Sequence, residues 1–264
     1  MPALAIFGIT GRMGQSLVQV LRETPAFTLS GAVASTTSGR LGQDAAAEGA
    51  PLGVPITADA RLGILGASVA VDFSPSTCVL QHVLECAAAG VPILVGATGL
   101  DAACRAGLER AARDIAVLIA PNTSVGVSVV AKLVSMAALQ LGPSYDVEIF
   151  EAHHRLKRDA PSGTALALGE AVAEARGRDL KDLAAYDRTG QQTPRTAGSI
   201  GFSSLRAGDI VGEHTVTFAA AGERIEITHR ATDRIIFARG ALRAAEWLVG
   251  RPAGLYGMQN VLGL

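Results

Sequence analysis

The sequence predicts an α/β protein: a Rossmann-like, doubly wound parallel sheet, joined to an α+β domain with a mixed sheet. Three observations predict it. Over the first 120 residues, short apolar runs alternate with helical patterns. The first of these runs breaks into a glycine loop that opens a helix. Past residue 142 the alternation gives way to clustered strand-like segments. Composition agrees with this reading. Of 264 residues, 49% are hydrophobic and only 18% charged, which argues for a well-filled core and against disorder. The low aromatic share, 4%, with abundant Ala, Val, Leu, Ile and Gly, suits helices packed on a buried sheet.

Residues 4–7 form a strand. A helix follows over 13–23, with Met13, Leu17, Val20 and Leu21 at helical spacing. A second strand spans 27–34 and runs into a polar loop, 35–42. Strands at 69–73, 91–95 and 116–119 then alternate with two helices. Ser76 is the candidate cap of the first, which runs to Ala89 and stops at Gly90. Asp101 caps the second, which runs to Arg113. A long apolar helix spans 125–141 and ends at Gly142-Pro143. Beyond it, residues 146–152 alternate like a strand, with Val147 and Ile149 on one side. Residues 166–176 are helical. Strands follow at 199–205, 214–220 and 224–230, with Gly222 marking a hairpin between the last two. A final amphipathic helix, 236–249, is placed to return to the first domain.

Charge excludes several function classes. Lys plus Arg number 23 against 24 Asp plus Glu, so there is no electrostatic footprint for nucleic acid or an anionic membrane. No uninterrupted apolar stretch approaches the roughly 18–20 residues of a membrane span, and no targeting signal is visible. The expected location is the cytoplasm. Cys78, Cys86 and Cys104 lack metal-ligand spacing and read as small apolar residues in a reducing compartment.

Two segments carry chemistry. The first strand ends in Gly8-Ile9-Thr10-Gly11-Arg12-Met13-Gly14. Glycines let backbone N–H groups approach a pyrophosphate, and the following helix points its positive end at the same place. The spacing is G-x-x-G-x-x-G, so its position between first strand and first helix is what gives it weight. An NAD-preferring site carries an acid at the end of the second strand. Here Ser35-Thr36-Thr37-Ser38-Gly39-Arg40 stands there, and no carboxylate appears until Asp44. Hydroxyls with Arg40, and Arg12 beside them, suit a 2′-phosphate, so the expected cofactor is NADPH or NADH with a lean to NADPH. Two further strand-end loops, at Gly96-Ala97-Thr98 and Ala120-Pro121-Asn122-Thr123, are placed to line the nicotinamide side.

The second segment packs His153, His154, Arg155, Lys157, Arg158 and Asp159 into seven positions before a helix start. Asp159 or Ser162 can cap that helix, with Pro161 at an early position and the N–H groups of Gly163 and Thr164 open to a carboxylate. Cations attract a dianionic substrate, and a His or Lys can supply the proton that complements a hydride. Adjacent histidines diverge, so no metal is expected at His153-His154. His82 reads as a helix-surface or core residue, and His214 and His229 as strand residues facing sheet packing. Arg230 either meets a substrate carboxylate or covers a sheet face. Trp247 reads as core.

The stretch Glu151-Ala-His-His-Arg-Leu-Lys-Arg-Asp-Ala-Pro-Ser-Gly-Thr-Ala165 resembles the signature of the 4-hydroxy-tetrahydrodipicolinate reductase family, also called dihydrodipicolinate reductases. The resemblance extends to the glycine loop, to Gly96-Ala97-Thr98-Gly99 and to Ala120-Pro121-Asn122. It also covers Arg206-Ala-Gly-Asp-Ile-Val-Gly-Glu-His214, Glu226-Ile-Thr-His-Arg-Ala231 and the ending from Gly254 to Leu264. It implies NAD(P)H-dependent reduction of 4-hydroxy-tetrahydrodipicolinate to tetrahydrodipicolinate, with loss of water, in lysine and diaminopimelate biosynthesis. It also implies a homotetramer. The expected division is a dinucleotide-binding domain of residues 1–122 with 237–264, and a substrate-binding and tetramerisation domain of residues 123–236. Carried over by position, His153 is the proton donor or acceptor, Lys157 the proton donor, His154 a substrate contact, and Gly163 and Thr164 the carboxylate site. Gly8, Ile9, Thr10, Gly11, Arg12, Met13, Gly96, Ala97, Thr98, Ala120, Pro121, Asn122 and Thr123 line the dinucleotide. This chain departs from the family's common pattern at Ser35-Thr36, where an acid followed by Arg is frequent, at Ala97 and at Thr123.

Two other readings compete. One is a different two-domain NAD(P)-dependent dehydrogenase, of the homoserine or aspartate-semialdehyde type. The latter needs a catalytic cysteine in a loop, and all three cysteines fall in predicted helices. The other is a dinucleotide-sensing binding protein, which leaves the His-His-Lys cluster without a task.

Overall fold

The structure, a computed structural model, describes residues 1–24 and 26–264. The chain divides into two compact units, Met1–Val125 with Ile235–Leu264, and Gly126–Arg234.

The first unit is built on seven parallel strands. In chain order its elements are β1 (Ala3–Phe7), α1 (Arg12–Glu23), β2 (Thr28–Val33), β3 (Ile56–Thr57), α2 (Ala60–Ile64), β4 (Val69–Asp72), α3 (Ser76–Ala89), β5 (Ile93–Val95), α4 (Ala102–Ala111) and β6 (Ala116–Ile119). The sheet order is β12-β6-β5-β4-β1-β2-β3, where β12 (Gly254–Tyr256) comes from the end of the chain. β1 therefore lies between β2 and β4, and strand order reverses there. Ligands of open α/β sheets bind at such a switch point, outside the carboxyl ends of the strands. Strands buried on both faces need continuous apolar runs, and Leu4, Ala5, Ile6 and Phe7 are all fully buried. One face carries Leu17, Val20 and Leu21 of α1 together with the late helix α8 (Ile235–Leu248). The other carries Val79, Val83 and Cys86 of α3 and Cys104 and Leu108 of α4.

The second unit follows α5 (Val125–Leu141) with β7 (Asp146–His153), α6 (Gly163–Ala175), α7 (Leu180–Leu183), β8 (Ala184–Ala185), β9 (Ile200–Arg206), β10 (Gly212–Ala220) and β11 (Glu223–Ala231). Its sheet runs β11-β10-β7-β9-β8 and is mixed: β10 is antiparallel to β7 and β11, while β7, β8 and β9 are parallel. Val130, Val134 and Ala138 of α5 and Leu168 and Val172 of α6 pack on Val147, Ile149, Phe202, Val216 and Phe218. A last short helix, α9 (Met258–Leu262), closes the chain and packs in the first unit through Met258 and Val261.

Two local expectations are corrected. Ser76 is the first helical residue of α3 and caps nothing; Pro75 holds the cap position without a side-chain bond. Pro161 lies before the α6 cap, which is Ser162, its Oγ accepting from the Ala165 N–H. The 20 residues Val125–Ser144 are long and apolar enough to cross a membrane by length and composition, although Ser128, Lys132, Ser135 and Gln140 interrupt the apolar run. Three of its residues, Val130, Val134 and Ala138, instead fill the second unit's core, while Val129, Leu133, Met136 and Leu139 are exposed.

Candidate active site

The glycine loop sits where β1 exits the sheet. Gly8 has φ +77°, and a methyl group there would lie 2.9 Å from the backbone of Phe73 and Ser74. At Gly14 a methyl group would lie 2.5 Å from the carbonyl oxygens of Gly8 and Ile9. Both positions therefore require glycine. The first turn of α1 holds no acid, and its cap, Gly11, uses no side chain. Thr10, Gly11 and Arg12 are exposed, whereas Ile9 is buried and offers only its backbone. An exposed helix start with no carboxylate, reached over glycines, fits a dinucleotide's pyrophosphate.

Residues outside the motif shape this cradle. Gln15 donates from Nε2 to the carbonyls of Ile9 and Ala45, and its Oε1 accepts from Ala47 N–H. Asp44 accepts from the N–H groups of Ala46, Leu52 and Gly53, bonds that hold its carboxyl below the usual range. Behind Gly8, the buried Asp72 accepts from Ser74 N–H and lies 2.8 Å from His82 Nδ1. The His82 ring stacks on Phe7 at 4.1 Å, so His82 is a packed residue that braces the floor of the loop.

Arg40 is half-buried and is engaged in part by its own loop. Its Nη2 donates to the carbonyls of Asp44 and Ala46, because the tight loop leaves those acceptors unmatched by backbone donors. The hydroxyls of Ser35 and Thr37 face each other at 2.9 Å in an exposed turn. Of the other strand-end loops, Gly96 and Ala97 are buried and Thr98 exposed; a methyl at Gly96 would strike the Phe73 ring. Ala120 is buried, Pro121 exposed and Asn122 half-buried, with Oδ1 accepting from Ser124 N–H. Thr123 is buried, and its hydroxyl donates to the carbonyl of Phe237.

The second cluster grows from strand alternation. Val147 and Ile149 point into the second unit's core, and the same parity carries Glu151 and His153 to that face. Register then sets Ser204 beside Glu151, Arg206 beside His153, and His214 opposite Glu151. Glu151 is fully buried. Its Oε2 accepts from Arg206 Nη1 at 2.7 Å and lies 2.6 Å from His153 Nδ1. Its Oε1 accepts from Arg206 Nη2 at 2.6 Å and from Ser162 N–H at 3.1 Å. Burial alone would raise its pKa; the Arg206 fork, with Ser204 and His153, outweighs that and holds it at about 2.

His153 is itself pushed down, first by burial, against the opposing pull of Glu151. The carboxylate can only accept, so Nδ1 carries the hydrogen. The other nitrogen, Nε2, faces Gly212, where a methyl group would lie 3.1 Å away. His214 packs edge-on at 5.2 Å, lies 3.0 Å from Ser162 Oγ, and is pushed down to about 4, chiefly by burial.

Lys157 Nζ pairs with Asp159 Oδ2 at 2.8 Å, which leaves capping to Ser162. His154 is half-buried, and Gly163 and Thr164 open α6. Arg230 pairs across the strands with Glu213. His229 is half-buried on β11, and Trp247 packs against the first unit's core under the Arg251 guanidinium. Sequence reading missed Glu151, Arg206 and Gln15 as organisers. Two-residue parity with His153 could have found Glu151.

Two family models match, "Dihydrodipicolinate reductase, N-terminus" over residues 3–123 and "Dihydrodipicolinate reductase, C-terminus" over residues 126–262. A 4-hydroxy-tetrahydrodipicolinate reductase from Anaeromyxobacter dehalogenans (strain 2CP-1) is 50% identical, over 100% of this chain and 98% of its own. One from Thiobacillus denitrificans is also 50% identical, over 99% and 98%. Among solved structures, a dipicolinate-bound dihydrodipicolinate reductase from Paenisporosarcina sp. TG-14 shares the fold, with TM-score 0.78, 24% identity and coverage of 98% of this chain and 99% of that one. An amine dehydrogenase from Mycobacterium smegmatis shares it more distantly, with TM-score 0.61, 12% identity and coverage of 96% and 94%. The three cysteines lie in α3 and α4, away from any loop that would hold a nucleophile. With relatives at half identity along the whole length, the chain belongs to the dihydrodipicolinate reductase family of oxidoreductases.

Proposed function

We propose that this chain reduces (2S,4S)-4-hydroxy-2,3,4,5-tetrahydrodipicolinate to 2,3,4,5-tetrahydrodipicolinate with loss of water, in lysine and diaminopimelate biosynthesis. The observation that carries the reading is the His153 imidazole, held on a buried carboxylate beside Lys157 and the start of α6. It is an acid–base group within a cationic surround, which a small dicarboxylate requires. A nicotinamide dinucleotide held at the glycine loop would supply the hydride that C4 receives once the 4-hydroxyl has left as water and the neighbouring ring carbon has lost a proton. His153, neutral with its lone pair on Nε2, takes that carbon's proton and returns one to the departing hydroxyl, and Lys157 delivers to the same carbon the proton that complements the hydride. His154 contacts substrate, while Gly163 and Thr164 N–H groups meet a carboxylate at the positive end of α6. The backbone of Gly8, Ile9, Thr10, Gly11, Arg12 and Met13 cradles the pyrophosphate, and Gly96, Ala97, Thr98, Ala120, Pro121, Asn122 and Thr123 line the rest of the dinucleotide.

NADPH is the preferred cofactor. With Arg40 Nη2 engaged at two carbonyls, the support comes chiefly from the exposed Arg12 at the head of α1 and the acid-free hydroxyl turn at Ser35–Thr37. The unit of assembly is a homotetramer, which suits the exposed Leu133, Met136 and Leu139 of α5 and Phe150 and Leu205 of the sheet. Three unpaired cysteines suit the cytoplasm.

The test is NAD(P)H oxidation with enzymatically generated substrate, each cofactor in turn, on a sample whose mass is measured by light scattering. Turnover is expected with a higher kcat/KM for NADPH, at a mass of four chains. Lys157→Ala should cut kcat about 10²–10⁴-fold with dinucleotide binding kept. Full activity in both His153→Ala and Lys157→Ala removes these residues from the chemistry.

A further inference from the structure

We infer that Glu151 and Arg206 are positioning residues that fix His153 in a single tautomer and tie its ring to the start of α6. The inference rests on the reading of His153 as the acid–base group. One carboxylate serves both tasks. Oε2 takes His153 Nδ1–H at 2.6 Å, and Oε1 takes the Ser162 N–H at 3.1 Å. Ser162 is the cap of α6, so the imidazole and the helix start that faces a substrate carboxylate are set by the same two oxygens.

A carboxylate that is fully buried could rotate or protonate. Arg206 prevents both: its fork occupies the outer edge of the carboxylate at 2.7 and 2.6 Å, and its Nη2 also donates to the Asp159 carbonyl. A bidentate pair fixes the plane of the carboxylate, hence the direction in which it accepts from Nδ1. A carboxylate behind a working histidine selects which nitrogen keeps the hydrogen, and so which one is free to exchange protons. Here that is Nε2, on the Gly212 side.

The groups facing His153 are Glu151 on its own strand, Arg206 on β9, His214 on β10 and Lys157 in the loop after β7. Glu151 is the one that favours the protonated ring; burial, Lys157 and Arg206 oppose it. Removing its charge should therefore move the His153 limb of the kcat profile to lower pH.

The test is Glu151→Gln in the full chain, labelled with ¹⁵N-histidine, with His153→Asn used to assign the ring. Long-range ¹H–¹⁵N spectra of the wild type should show Nδ1–H alone. The glutamine variant should show loss of that single tautomer, a fall in kcat of about 10- to 100-fold, an unchanged KM for the dinucleotide, and the shifted pH limb. Arg206→Lys keeps the charge without the fork; it provides the same readout if the glutamine variant does not fold, and is expected to give a smaller fall in kcat. Retention of the Nδ1–H tautomer at wild-type kcat in both variants overturns the inference. A changed tautomer with unchanged turnover upholds the positioning and instead removes His153 from the chemistry.

Discussion

At the scale of single residues, the second unit stores pH sensitivity in two buried groups. Glu151 has its pKa held at about 2, below its ordinary 4.5, so folding favours the ionised form. The stability it contributes is complete above about pH 4.5 and is lost as pH falls toward 2. His214 is pushed down to about 4 from 6.5, so the unfolded chain takes a proton that the folded chain refuses. Its contribution is complete above pH 6.5 and is lost as pH falls toward 4. His153 and His229 are displaced in the same direction as His214, each chiefly by burial. At about 1.4 kcal/mol per pH unit, either displacement corresponds to roughly 3–4 kcal/mol. Set against a typical total of about 5–15 kcal/mol, both matter. Urea midpoints should thus decline from pH 6.5 downward without a plateau. In His214→Asn the decline between 6.5 and 4.5 should be shallower, and in Glu151→Gln the decline below 4.5. An unaltered slope in either variant assigns that window to other groups.

At the scale of elements, the β1–α1 junction is the least tolerant. A Gly14 methyl would sit 2.5 Å from two backbone oxygens, neither of which can rotate away. Gly14→Ala should lower stability by about 1–3 kcal/mol, and displacing the helix start should weaken NADPH binding at least tenfold in a fluorescence titration. Gly39→Ala, where a methyl meets nothing, should melt with the wild type. The elements legible from the sequence were those with a period. α5 begins and ends at the expected residues, α3 stops at Gly90 in a left-handed conformation, and β6 matches residue for residue. β3, α2, α7, β8, β12 and α9 were not foreseen, because two to five residues carry no period. Their formation depends on distant partners. β3 exists by pairing Ile56 with Ala32, and α2 is pressed so close to β2 that a Gly31 methyl would lie 1.6 Å from the Gly63 carbonyl oxygen. The site divides in the same way. His153 and Lys157 stood out as a local cluster, and Glu151 shares His153's parity. Arg206 and His214 lie more than 50 positions along the chain, and only the β7–β9 and β7–β10 register brings them to the carboxylate.

At the scale of the whole molecule, the chain leaves its first unit at Val125 and returns at Ile235, so the glycine loop proposed to cradle the dinucleotide shares its unit with a distant end of the sequence. α8 contributes Ile235, Ala238, Ala241, Leu242, Ala244, Ala245 and Leu248 to the face of the sheet that also buries α1, and α9 adds Met258 and Val261. The strand-end loop at Thr123 is fastened to this helix by its hydroxyl bond to Phe237, and β12 pairs with β6 at the sheet edge. At roughly 1.5–3 kcal/mol for each large apolar side chain buried, Ile235, Leu242, Leu248, Met258 and Val261 together are comparable with the whole stability of a typical domain. None of them belongs to the second unit's core. A chain ending at Arg234 keeps every residue proposed to touch the dinucleotide, yet it should lose NADPH binding in a fluorescence titration. It should also lose amide protection across β1, β4 and β5 in hydrogen exchange, while β7 and β10 stay protected. Retained binding by that truncated chain would show that α8 and α9 do not hold the cradle in place.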